Sequence, residues 1–177
     1  MQALVLDTET TGLLSSHLMD LKRQPEVIEF SGLTLNLATG EQLGQYSTLI
    51  NPKLPLPEEI IDITHITPEM LAAAPRFPAV ADTIKQLIEA APVVIAHNAS
   101  FDKEMLDLEY ERLGQKLNWP FTLCTVEQTV YLVGHRLSMA ALYKWLFNET
   151  FKDAHRAEVD VKALGRCCIE LHRRAIL

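Results

Sequence analysis

The segment "VVIAHN" at residues 93–98, set between Pro92 and the helical pattern of "FDKEMLDLEYERLG", constrains the fold more than any other stretch. A short apolar run without polar alternation reads as a strand buried on both faces. The helix that follows ends at Gly114, and "FTLCT" reads as a further strand. Strand, helix and strand in succession imply parallel pairing with helices packed on the sheet. The first half differs. "ALVLDTE" is a short apolar strand ended by Gly12, and after a polar loop from Ser15 to Pro25 the runs "VIEFSGLTLNL" and "EQLGQYSTLI" flank "ATG" as a hairpin. A prolyl stretch, "NPKLPLPEE", leads to "IIDITHITPEML", where Pro68 suits the first turn of a short helix. Val80, Ile84, Leu87 and Ile88 then recur at helical spacing. "VEQTVYLV", "SMAALYKWLF" and a final helix close the chain. The expected fold is α/β: a mixed five-stranded sheet flanked by helices.

At 177 residues, 48% hydrophobic and 22% charged, the chain fits one domain, 1–177, whose core needs neither disulfides nor structural metals. Cys124, Cys167 and Cys168 have no metal-ligand spacing and read as small core residues. No basic leader follows Met1, and no apolar run reaches the ~20 residues of a membrane span. A soluble, cytoplasmic protein with no membrane association is expected. The net charge of -7 argues against polyanion binding through the overall field. It leaves room for nucleic acid wherever clustered carboxylates hold divalent cations and reverse the local charge.

Four acids carry the chemistry. Asp7 and Glu9 lie two apart at the end of the first strand and share one face of the sheet, unless the strand frays there into a solvated turn. Asp102 falls at the start of a helix, where it can cap free N–H groups, yet it shares a face with Leu106 and Leu113. Asp160 is in line with Leu164, Cys168 and Leu171, so its carboxylate is directed toward the core. Arg156, four residues earlier, offers it an ordinary helical ion pair. An inward carboxylate must be protonated, paired or bound to metal. A strand end and two helix starts can converge, and oxygen-only ligands favour Mg²⁺ or Mn²⁺ over zinc. His155 stands five residues before Asp160, a helical rotation of about 500°. Both reach one site only if His155 lies in the loop before the helix, where a histidine suits general base chemistry at neutral pH.

The segments "DTETTG" (7–12), "HNASFD" (97–102) and "HRAEVD" (155–160) resemble, in order, the three motifs of the DEDDh (DnaQ-like) 3'-to-5' exonucleases, the group that includes the proofreading subunit of bacterial replicative polymerase. The resemblance implies a ribonuclease-H-like fold, two Mg²⁺ ions with Mn²⁺ able to substitute, and release of nucleoside 5'-monophosphates from a 3' end. By motif position Asp7, Glu9 and Asp160 would hold the first ion. Asp7 would bridge to the second, which Asp102 would support through water, and His155 would be the general base. The same resemblance sets Thr10, Leu13 and Phe101 against the terminal sugar and base, His65 beside the nucleotide pocket, and Asn98 as a brace. Arg136, Lys144, Lys152 and Arg156 are candidate phosphate contacts. Single-stranded DNA ends are the expected substrate. The alternatives are RNA ends or a polymerase-associated binding module without catalysis. Seventeen residues follow Asp160, fewer than the proofreading subunit's polymerase-tethering segment needs, so a polymerase partner stays open, as does monomer against homodimer.

Overall fold

The computed structural model describes residues 1–14, 20–151 and 155–177; part of the expected polar loop, 15–19, and Lys152 lie outside them. Strand β1 (Gln2–Thr10) is the middle strand of a five-stranded sheet ordered β3-β2-β1-β4-β5. β2 (Val27–Asn36) pairs antiparallel with β1 and with β3 (Glu41–Leu49), which it joins through a turn where Gly40 takes φ 75°. β4 (Val93–Ala96) runs parallel to β1, and β5 (Phe121–Cys124) parallel to β4. The mixed sheet is the one expected from the strand and helix order.

Side chains alternate across this sheet and define two layers. Leu4, Leu6, Val94 and Ala96 face α3 (Phe77–Glu89) and α4 (Ala99–Arg112), whose Ile84, Ile88, Met105 and Leu106 are fully buried. Ala3, Val5, Val93 and Ile95 face α6 (Met139–Phe147) and α7 (Ala157–Arg173), with Leu142, Leu164, Cys168 and Leu171 buried against them. Each fully buried Leu or Ile contributes about 1.5–3 kcal/mol. All three cysteines are free and buried, as expected of small core residues. None of the described helices is long and apolar enough to cross a membrane.

The segment around Pro68 forms two helices, α1 (Glu58–Thr64) and α2 (Pro68–Ala72). His65 breaks between them in a left-handed conformation, φ 56°, and the Thr67 hydroxyl accepts from Met70 N–H to start α2. Ile66 and Leu71 pack with Ile28 in a separate small cluster. α5 (Thr125–Val133) follows β5 and ends at Gly134, φ 81°.

The approach of α7 to the sheet depends on Gly165. A Cβ there would lie 2.8 Å from Leu35 Cδ1 and 3.1 Å from Leu33 Cδ2. The helix therefore rests close on β2, and its N-terminal turn reaches the end of β1. Gly165→Val should cost about 1–3 kcal/mol by overpacking this contact. Urea denaturation measures it, and an unchanged midpoint would show that α7 has slack against the sheet.

Candidate active site

Alternation along β1 turns Thr8 toward α4, while Asp7 and Glu9 turn toward α7, continuing the faces of Leu6 and Val5. The Asp7, Glu9 and Asp160 carboxylates meet there, with one ligand oxygen from each within 4.8 Å of the others. A register shift between Glu9 and Thr10 interrupts pairing with β2 at this point, a common device for re-aiming side chains beside active sites. Asp102 sits in the first turn of α4, not at its cap. It is 3% exposed, and its Oδ1 accepts from both Thr8 N–H (3.0 Å) and Thr8 Oγ1–H (2.8 Å). The sheet thus brings three acids into one cluster and holds the fourth just behind it.

His155 lies before α7 in a left-handed conformation, φ 68°, as the spacing to Asp160 required. Its N–H donates to Asp160 Oδ2 at 2.8 Å. Arg156 does not pair with Asp160. Its guanidinium grips Glu29 with two bonds of 3.0 and 3.1 Å, and Glu29 Oε2 also accepts Ala157 N–H at 3.0 Å. Glu29, directly across from Glu9 on β2 and 3% exposed, caps and clamps the start of α7. Sequence reasoning missed it, because one glutamate in a strand-forming run announces nothing until the register of β1 and β2 is known.

Two clefts share Thr8 and Glu9. One, of about 440 Å³, is lined by Asp7, Asp160, His155, His97, Asn98 and Ser138 among others. The other, of about 640 Å³, runs beside Thr10, Gly12, Leu13, Ile60, Ile63 and Phe101. Leu13 is 83% exposed, so it is no core residue; Phe101 is half-buried at the edge of the α4 layer. Thr10 is buried, with its hydroxyl donating to Gly12 O. Thr64 lines the second cleft, whereas His65 does not and is exposed at the end of α1. Lys144 is exposed on α6, donating to Asn148 O. His97 bridges elements: Thr125 Oγ1–H meets Nδ1 at 2.9 Å and Nε2–H donates to Leu137 O at 3.1 Å, since a carbonyl can only accept.

The sequence model of the RNase T exonuclease family matches residues 4–167. The chain belongs to this exonuclease family. The PolC-type DNA polymerase III of Staphylococcus aureus is 37% identical over 110 residues, 62% of this chain but 7% of that protein. The chain therefore spans a small fraction of the length of these relatives. Among solved structures, Exonuclease X in complex with 5' overhanging duplex DNA superposes with a TM-score of 0.73 at 23% identity, over 98% of this chain and 92% of that one. The nuclease domain of 3'hExo, a DEDDh family member bound to rAMP, gives 0.79 at 16% identity over the same shares. These two likenesses bear on the fold, which is ribonuclease-H-like as expected. The DnaQ-like resemblance read from the three motifs is borne out.

Electrostatics explains what holds this cluster in tension. Burial pushes Asp7 well above the usual carboxylate range, and Asp102, Glu9, Asp160 and Glu29 push it further. Glu9 rises to about 8 through burial and then the charges of Asp160 and Glu29, with Arg156 opposing. Asp102 rises to about 7 through burial, against the two Thr8 bonds. Asp160 is raised by burial, against the His155 N–H. His97 is lowered by burial, consistent with a neutral ring. Oxygen-only carboxylates that repel one another in a partly closed cleft fit divalent cations.

These acids bind protons more tightly folded than unfolded. The stability they lend is therefore full below about pH 4 and is lost as pH rises through about 7–8. In EDTA the melting midpoint of this protein should fall between pH 5.5 and 8.5, and Mg²⁺ at pH 8.5 should restore it. A midpoint that is flat or rising across this window in chelator would contradict the assigned repulsion.

Proposed function

We propose that this chain is an Mg²⁺-dependent 3'-to-5' exonuclease that shortens single-stranded DNA from its 3' end and releases nucleoside 5'-monophosphates. The carrying observation is the cluster of Asp7, Glu9 and Asp160, with ligand oxygens within 4.8 Å of one another and His155 bonded to Asp160 through its backbone. Asp7, Glu9 and Asp160 would hold one cation, and Asp7 with Asp102 a second; Mn²⁺ has the same oxygen preference. Bound there, the cations supply charge neutralisation and Lewis acidity for in-line displacement at phosphorus.

The remaining work falls to the chain. The His155 imidazole takes the proton of the attacking water, and its loop position before α7 leaves the ring outside the helical face. The P–O3' bond breaks, the phosphate leaves with the terminal nucleoside, and the shortened strand regains a 3'-hydroxyl with a proton from solvent. The terminal sugar and base occupy the cleft of Thr10, Leu13 and Phe101, where exposed Leu13 gives an apolar surface for stacking. His65, one residue beyond the lining Thr64, serves the outer edge of that cleft.

DNA is favoured because the Staphylococcus aureus relative is a DNA polymerase and the Exonuclease X neighbour holds DNA. RNA is the second reading, supported by the neighbour bound to rAMP. Residues 1–177 act as one exonuclease domain, in the cytoplasm, in repair, proofreading or nucleotide recycling.

The test is 5'-labelled single-stranded DNA and RNA of one sequence, incubated with protein and Mg²⁺ or with EDTA. Stepwise shortening of DNA from the 3' end, stopped by EDTA, is expected, and Asp160→Asn should lower kcat by at least about 100-fold. RNA shortened faster than DNA would select the second reading. Neither polymer degraded at any Mg²⁺ or Mn²⁺ concentration would end both.

A further inference from the structure

Asn98 starts α4 in a left-handed conformation, φ 66° and ψ 47°, and gives no side-chain cap to the helix. An asparagine at such a position commonly accepts an N–H of the first turn, a contact worth about 1 kcal/mol. Here its Oδ1 instead accepts from Arg136 Nη2 at 2.8 Å. A guanidinium only donates, so this bond fixes the amide orientation and leaves Nδ2 as the donor available to the cleft that Asn98 lines with Asp7 and Asp160. The loop carrying Arg136 is itself held at its next residue, where Leu137 O accepts from His97.

Among the described residues Arg136, like Arg23 and Arg76, stands in no ion pair, and of these three it alone is bonded to a residue lining the cleft of the acids. Arg112, Arg156, Arg166, Arg173 and Arg174 each pair with a glutamate. Arg136 is exposed and bonds a neutral amide; among the described residues no carboxylate lies within ion-pairing distance of it. A protein of net charge -7 repels a polyanion unless cations stand where the strand passes. Its place also follows from the two clefts. With the terminal nucleoside in the cleft of Leu13 and Phe101 and the scissile phosphate at the acids, the rest of the strand leaves through the other opening, past Asn98 and Ser138.

We propose that Arg136 and the Asn98 amide together bind the phosphate one nucleotide to the 5' side of the scissile bond. This rests on the exonuclease reading and adds a subsite to it. The guanidinium supplies charge and Asn98 Nδ2 a directed donor, while the bond between them holds both in place before substrate arrives.

The experiment compares two substrates: a single-stranded oligodeoxynucleotide, and the 4-nitrophenyl ester of thymidine 5'-monophosphate, whose only phosphodiester is the scissile one. Arg136→Ala should raise KM for the oligonucleotide about tenfold and reduce the salt dependence of its binding by about one phosphate contact. Turnover of the ester should be unchanged. Arg136→Lys should keep the salt dependence but recover only part of the affinity, because a lysine cannot fork between amide and phosphate. An unchanged KM for the oligonucleotide, or an equal loss on both substrates, would overturn the subsite. The second outcome would make Arg136 a mere staple of its loop. Wild-type protein inert toward both substrates would remove the exonuclease reading and the subsite with it.

Discussion

Thr8 donates two hydrogen bonds to one oxygen of Asp102, and through them the central strand grips the helix on one face of the sheet. On the other face Glu29 grips α7 through Arg156 and the Ala157 N–H. Between these clamps stand carboxylates that repel one another. Isolated in a chain, Asp7, Glu9 and Asp160 would separate into solvent; held by β1 and α7, they cannot. The rigidity of the two layers is what converts repulsion into a demand for cations.

The packing serves that end. Gly165 lets α7 lie close on β2, and the alternation of β1 delivers Thr8 to one helix and Asp7 and Glu9 to the other. The shift in register after Glu9 puts a bulge between β1 and β2 where the two clefts meet, before pairing resumes at Thr10 and Val27. Stability and chemistry are therefore opposed at one place, the end of β1. Clustered like charges cost the fold stability at neutral pH, and the same cluster is the only feature that suits a divalent cation among the described residues.

Much of this was legible in the sequence because it depends on periodicity. Period two placed Asp7 and Glu9 on one face; period 3.6 put Asp160 in the stripe of Leu164, Cys168 and Leu171, and sent His155 off the helix. The strand and helix order gave the mixed sheet. The clamps were not legible. Glu29 acquires its role from a register partner and a helix more than a hundred residues away, and Thr8 from Asp102 on another element. The Arg156 side chain had a nearer candidate in Asp160, and tertiary packing chose Glu29 over it. Likewise the break at His65 reflects a left-handed residue where local pattern alone suggested a single short helix.

The central claim is that the converged acids are a divalent-cation site built into the fold. Anomalous scattering from crystals soaked in Mn²⁺ tests it most directly. Two peaks are expected about 3.5–4 Å apart, one among Asp7, Glu9 and Asp160 and one shared by Asp7 and Asp102. Ordered crystals that bind Mn²⁺ elsewhere, or nowhere, while the Asp7 carboxylate stays without a peak would contradict it.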